Sequence, residues 1–144
     1  ITFSAAGSLI YLKNNEDQDL IVTGLAFGLG AASTSDMGEI TVAKNDTGGD
    51  LITDATAIDM NQNRLIGSSK TLTVDTFKGK SAGTATGGTD VALFYAGTSA
   101  RSFFTFDLLI EKGSSISITF DPKLSSGTIK AYAAIICYLK DPIT

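Results

Sequence analysis

Apolar and polar residues alternate one by one through much of this chain, and a period of two is typical of β-strands. In Ser115–Phe120, three apolar side chains alternate with Ser and Thr, which predicts one face buried and the other in contact with water. Glu39–Lys44 has the same alternation. We find no convincing stretch with the helical period of 3.6, so the sequence predicts an all-β fold.

The apolar runs are short and are separated by residues that favour turns. They predict eight or nine strands, drawn from Leu9–Lys13, Leu20–Leu29, Glu39–Lys44, Leu51–Thr53, Thr71–Phe77, Val91–Tyr95, Ser102–Glu111, Ser115–Phe120 and Thr128–Leu139. Only Asp54–Ser69 is ambiguous, because Asp54 could cap a short helix. Strands at this spacing predict an antiparallel β-sandwich of jelly-roll type, formed as a single domain over residues 1–144.

The longest apolar run, Thr128–Leu139, is apolar on both faces between Ala133 and Cys137. Such a strand lies centrally in a sheet or carries a partner on its outer side. We expect it to be central, with Ile135 and Cys137 on one face and Ala134 and Ile136 on the other. Full burial of Ile135 would make its replacement by Ala cost about 2–5 kcal/mol.

Composition argues against two classes of partner. The chain has 144 residues, a net charge of −4 and a sequence pI near 4.6, and its cations are spread singly. Nucleic acids and anionic membranes are bound by clustered cations, so we expect neither as a partner. The sequence has no apolar run of the 18 or more residues that a spanning helix requires. We also do not expect residues 1–7 to be a signal peptide, since they lack its basic and apolar regions.

The absence of some residue types restricts the chemistry of the chain. It has no His, no Trp and a single Cys, Cys137. A Ser-His-Asp triad, a site with His or several Cys ligands for a metal, and an internal disulfide are therefore impossible. Cys137 lies in an apolar run, where a thiol is usually inert packing. We expect no catalytic, cofactor-binding or metal-binding residue, no cofactor, and no enzymatic activity.

Two acidic clusters need separate consideration. Glu16, Asp17 and Asp19 form the first, and Asp46, Asp50 and Asp54 recur at every fourth residue in the second. Neither has the spacing of a calcium loop, although irregular loops of β-sandwiches can bind calcium. We expect these carboxylates to accept hydrogen bonds within turns. The Gly-rich stretches 28–30 and 83–88 match no nucleotide-binding motif and predict loops.

The aromatic residues of the strand Ser102–Glu111 divide between its two faces. Phe104 and Phe106 share a face with Leu108 and Ile110, which predicts core packing. Phe103 points the other way, and we expect it at an interface.

The order of segments in the second half resembles a known family. The pieces are NQNRLIGSSK (61–70), TLTVDTFKG (71–79), a Gly/Thr loop, LLIEKGSSISITFDP (108–122) and IKAYAAIICYL (129–139). Over roughly Asn61 to Leu139 this pattern resembles small jelly-roll structural proteins of tailed-phage virions. The resemblance implies a non-enzymatic capsid decoration protein or other virion-surface protein. It also implies, as partners, copies of itself, commonly as a trimer, and a capsid or other virion protein.

Two other functions fit the same composition. A secreted carbohydrate-binding module would have a ligand pocket flanked by aromatic side chains. An extracellular filament subunit joined by strand donation could use the apolar segment Ile1–Phe3, for which the sequence suggests no partner within the chain.

Overall fold

In a computed structural model, residues 1–30, 38–50, 74–79, 83–96 and 101–140 are described. All regular secondary structure in these ranges is β-strand, and the named strands pair antiparallel. The strands are β1 Thr2–Phe3, β2 Gly7–Asn14, β3 Leu20–Leu29, β4 Gly38–Lys44, β5 Gly48–Gly49, β6 Val74–Lys78, β7 Ala85–Thr86, β8 Thr89–Ala96, β9 Arg101–Ile110, β10 Ser115–Asp121 and β11 Ile129–Leu139. The all-β prediction is confirmed for this part of the chain.

The strands form two sheets and one short ribbon. Sheet I has the order β6-β2-β10-β4-β8, sheet II has the order β1-β11-β3-β9, and β5 pairs with β7 in the ribbon. The predicted segments Leu51–Thr53 and Asp54–Ser69 lie outside the described residues. Three short strands were not predicted, since β1, β5 and β7 have only two residues each.

The inner faces of the two sheets pack against each other to form the core. Phe120 of sheet I lies at its centre, with its ring centroid 5.4 Å from that of Phe3 and 5.1 Å from that of Phe27 in sheet II. All three rings are almost fully buried. Burial of one such side chain stabilises the fold by about 1.5–3 kcal/mol, so this contact between sheets is a major source of stability in the sandwich-like arrangement.

In β10 the inner face is buried as predicted. Its outer face, however, is not exposed to water as predicted. Ile116, Ile118 and Phe120 point into the core, while outer-face Ser117 is only 2% exposed. The Ser117 hydroxyl donates a hydrogen bond to the carboxylate of Asp46, in the loop after β4. The expectation of a wet face was therefore wrong, because a distant loop covers this side of sheet I.

The N-terminal segment has a partner within its own chain, contrary to expectation. The Ile1 amino group donates to the carbonyl oxygen of Ala131 at 3.0 Å, and the Ala131 amide donates back to Ile1 at 2.8 Å. Phe3 then enters the core with no exposed surface. β1 thus extends sheet II beside the start of β11.

The strand β11 is central only at its beginning. It pairs with β3 from Ala131 to Leu139, whereas β1 pairs with Lys130 and Ile129 alone. The predicted facing is confirmed, because Ile135 and Cys137 pack against the core and Ala134 is exposed. Ile135 is half-buried, however, so the expected full burial was wrong.

Candidate functional site

The outer face of sheet II exposes large apolar side chains. Phe103 and Leu109 of β9 are 57% and 52% exposed, and Tyr132 and Tyr138 of β11 are 60% and 53% exposed. The strand alternation places all four on the side opposite the core. An exposed apolar surface of this extent is typical of an interaction site. The outward position predicted for Phe103 is confirmed.

A groove of about 760 Å³ runs across this face between Phe103 and Tyr132. Its floor is formed by small residues of the neighbouring strands, Ala26 and Gly28 of β3 and Ala134 of β11. Pairing explains the shape, since Ala26 lies opposite both Phe103 and Ala134. The groove therefore forms because β3 carries small side chains there, while its neighbours β9 and β11 carry aromatic rings.

Gly24 allows the Phe103 ring to lie against β3. A Cβ atom added at Gly24 would lie 3.0 Å from both Cζ of Phe103 and the Phe104 carbonyl oxygen, which is tighter than ordinary van der Waals contact. The pairing of β3 with β9 shifts register between Val22 and Gly24. Both features are typical of a glycine within a strand.

The charged side chains on this face lie towards opposite ends. Arg101 of β9 and Lys130 of β11 lie at the end that contains Gly28, and Asp107 lies six residues further along β9. Arg101 and Asp107 are both exposed, and neither forms an ion pair with another residue in the described ranges. The face is therefore apolar in the middle, with unpaired charges of opposite sign along β9.

The described partners of Asp46 and Asp17 lie far away in the sequence, not within the turns of these residues as expected. One carboxylate oxygen of Asp46 accepts from the Gly88 amide at 3.1 Å, and the other accepts from Ser117, so Asp46 joins the β5–β7 ribbon to sheet I. Asp17 pairs with Lys112, and this hydrogen bond lowers the pKa of the Asp17 carboxyl. Asp54 lies outside the described residues. The described residues contain no group of three or more His, Cys, Asp or Glu side chains that could hold a metal ion.

Cys137 lies on the inner side of β11 among the apolar residues of the core. Burial raises the pKa of its thiol to about 11. A thiol in such surroundings is mostly protonated near neutral pH and is a poor nucleophile.

Asn14 has a role that no sequence pattern indicated, and it is fully buried at the end of β2. Its side-chain amide donates to the carbonyl oxygens of Gln18 at 2.9 Å and Ile110 at 2.8 Å. The carbonyl oxygen of the side chain accepts from the Glu16 amide at 2.9 Å. Asn14 thus fixes the turn after β2 to the end of β9, which is a structural role away from the groove.

Comparison with known proteins identifies no relative. No protein-family model matches the chain, and neither a curated protein nor a solved structure matches it significantly. No helix within the described ranges is long and apolar enough to cross a membrane.

Proposed function

We propose that this chain is a non-enzymatic structural protein of a tailed-phage virion, either a capsid decoration protein or another virion-surface protein. Its partners are copies of itself, as the trimer that the resemblance implies, and a capsid or other virion protein. The observation that carries the proposal is the outer face of sheet II, where four large apolar side chains are more than half exposed. Assembly would remove this surface from water.

A shell protein does not require tight binding at each contact. Many copies bind the same shell, and linking copies converts later contacts into intramolecular ones, which can raise the overall affinity by roughly 10²–10⁴. A rigid sandwich whose sheet II has an exposed apolar outer face fits this role. The acidic net charge of −4 agrees with a protein partner better than with packaged nucleic acid.

The order of the strands supports a jelly roll as the detailed topology. The strands β2, β3 and β4 alternate between sheet I and sheet II, and so do β8, β9, β10 and β11. Within sheet I the late strand β10 lies between the early strands β2 and β4. Alternation of this kind is expected when a folded-over antiparallel ribbon is wrapped into two sheets, as in jelly-roll folds.

The test uses capsids of the phage that encodes this chain, prepared without the protein. Purified protein should sediment with them to a saturable number of copies. Phe103→Ser should weaken this binding, whether the outer face of sheet II contacts the shell or joins copies whose combined contacts hold it. Leu93→Ser is the matched control, since Leu93 is 51% exposed on β8 of sheet I. Absence of wild-type binding would refute the virion role, and equal binding by both variants would refute the role of this face.

Carbohydrate recognition is the second candidate, because Phe103 and Tyr132 flank the groove. Aromatic rings beside a groove are a suitable surface for sugar rings, and its volume is in the range of ligand pockets. Calorimetric titration with oligosaccharides should then give heat that Tyr132→Ala abolishes.

Pairing of β1 with β11 of the same chain counts against the third function, strand donation between filament subunits.

A further inference from the structure

We infer that the groove on the outer face of sheet II binds a short acidic segment of a protein partner. An apolar side chain of that segment lies between Phe103 and Tyr132, and a carboxylate beside it is bound by Arg101 and Lys130. The inference rests on the proposed function, in which the partner is a capsid or other virion protein, and it names the chemistry that this partner presents. Its basis is an apolar floor, two aromatic walls and two cations at one end of the groove.

The floor of the groove offers no free hydrogen-bonding group to a ligand. Ala26 and Gly28 alternate with the core residues Leu25 and Phe27, so their outward positions carry only a methyl group or a hydrogen atom. β3 lies between β9 and β11, and both neighbours pair with it over residues 24–28. Its backbone amides and carbonyls are therefore used within the sheet. A polar group on this floor would lose water without gaining a partner, so the occupant is apolar there.

Two aromatic rings bound this floor from different strands. The Phe103 ring leans over Gly24, and the Tyr132 ring leans the other way, since a Cβ atom added at Gly30 would lie 3.7 Å from its Cε2. These two glycines are six residues apart on β3, roughly 20 Å at about 3.3 Å per residue, so the rings stand towards the two ends of the groove. An apolar side chain between them is enclosed in the way that anchor residues of interfaces are enclosed by their pockets.

Two cations at one end distinguish the groove from a simple apolar patch. Arg101 lines the groove and lies opposite Gly28, in the same row as Tyr132. Lys130 precedes Tyr132 by two residues, so it lies on the same face of sheet II, on the other side of β3 from Arg101. Neither cation forms an ion pair with another residue that the structure describes. In a chain with a net charge of −4, two unpaired cations beside one groove indicate that the partner supplies an anion.

One carboxylate can contact both cations. Arg101 and Lys130 belong to the two neighbours of β3, so their backbones are roughly 10 Å apart across the sheet and about 7 Å apart along it. Both side chains are long enough to meet at an anion that lies between them. A guanidinium group binds a carboxylate through two parallel hydrogen bonds, which also fix its orientation. The carboxylate therefore sets the direction of the bound segment, and the apolar side chain next to it enters the groove.

A stretch of protein fits this site better than a free small molecule or a sugar does. The groove of about 760 Å³ is within the range of roughly 300–1,000 Å³ for pockets of drug-sized ligands, so it has room for more than one side chain. The exposed apolar surface continues beyond it to Leu109 and Tyr138. A small molecule would leave this continuation in water, whereas a protein surface covers both. A sugar would also place hydroxyl groups on the apolar floor, where they find no partner.

Titration of isotope-labelled protein, followed by nuclear magnetic resonance, tests the groove without any capsid. The probe is the peptide acetyl-Leu-Glu-Leu-amide. It should shift the backbone amide signals of Gly28 and Arg101 with a dissociation constant of about 1 mM. Two further probes separate charge from apolar character. The Gln version of the peptide lacks the charge and glucuronate carries it on a sugar, so each should bind at least about tenfold more weakly.

Three variants assign the contacts. Arg101→Gln should weaken binding of the Glu peptide by about tenfold or more, because a charge-assisted hydrogen bond is lost. Ala26→Leu should abolish binding, since the added side chain occupies the floor. Lys44→Gln is the matched control, because Lys44 is exposed at the end of β4 in sheet I and its loss changes the net charge equally. Far-UV circular dichroism checks that each variant remains folded.

Absence of peptide binding, equal binding of the Glu and Gln peptides, or equal losses for Arg101→Gln and Lys44→Gln would each overturn the inference. Glucuronate that binds as well as the Glu peptide would assign the groove to sugars. A trimer that Arg101→Gln dissociates would assign it to a second copy of the chain. Either result would also overturn the inference.

Capsid sedimentation of the same variants is scored separately. Unchanged capsid binding by Arg101→Gln and Ala26→Leu would overturn the inference and leave the virion role standing. Peptide binding with the expected variant effects, but without capsid binding by the wild type, would support the inferred chemistry of the groove and refute the virion role.

Discussion

Replacement of Asn14 by Ala should destabilise the fold far more than its place in a polar turn suggests. The Asn14 side chain makes three hydrogen bonds, to Gln18, to Ile110 and from Glu16. Alanine removes all three and leaves the Ile110 carbonyl oxygen without this donor in a buried position. At a net 0.5–1.5 kcal/mol for each bond, the free energy of unfolding should fall by about 1.5–4.5 kcal/mol. For a chain of this size, a loss of about 3 kcal/mol lowers Tm by roughly 10 °C.

Asn14→Asp separates the loss of donors from the loss of shape. A carboxylate keeps the acceptor for the Glu16 amide but places negative charge beside two carbonyl oxygens in a buried site. Burial and these oxygens raise the carboxyl pKa in the folded state above the unfolded value of about 3.9. A raised folded pKa gives stability that is complete below the unfolded pKa and is lost as pH rises through the folded pKa. The deficit relative to wild type should therefore be larger at pH 7 than at pH 3.

The measurement is urea unfolding followed by far-UV circular dichroism, because the chain has no Trp for fluorescence. Asn15→Ala is the control, since Asn15 is the exposed neighbour and should change stability by less than about 0.5 kcal/mol. Equal losses for Asn14→Ala and Asn15→Ala would refute the hydrogen-bond argument. An Asn14→Asp deficit that does not grow between pH 3 and pH 7 would refute the argument about buried charge.

Three further outcomes can be measured on the same protein. Leu25→Ala should cost about 2–5 kcal/mol in urea unfolding, and Ile135→Ala should cost less, because only Leu25 is fully buried. Alkylation of Cys137 at pH 8 should be roughly 100-fold slower in folded than in urea-unfolded protein, since its pKa is about 11 against 9.0, and it should accelerate as pH approaches 11. Gly79→Ala should cost about 1–3 kcal/mol, because the added Cβ would overlap the Ser8 carbonyl oxygen.

Local alternation predicted which residues form strands and which side faces the core. It did so in β10, where Ile118 and Phe120 are buried as expected. It could not predict that Ser117 is covered as well, because the covering carboxylate of Asp46 is 71 residues away in the sequence. A period of two separates the faces of a strand, but it carries no information about which distant loop lies over them.

Local alternation also could not predict which strands lie beside β11 in sheet II. The sequence of β11 allowed either a central strand or a strand with an external partner, and the choice depends on which strands lie beside it. β1 occupies one side only at Ile129 and Lys130, through a pairing across nearly the whole chain. The N-terminal segment offered too few residues for a periodic pattern, so this pairing had no detectable signal.

On the outer face of sheet II, strand propensity alone does not explain the residues that form the groove. Glycine within a strand costs about 0.5–1 kcal/mol relative to alanine, and β3 has both Gly24 and Gly28 in its interior. Strand propensity does not explain them, but their positions do: Gly24 lies under the Phe103 ring and Gly28 lies in the floor of the groove. At Gly24 a ring of the same chain makes the close approach. At Gly28 the space above the backbone belongs to the open groove. The residues that weaken β3 as a strand are therefore those that shape the groove on the outer face of sheet II.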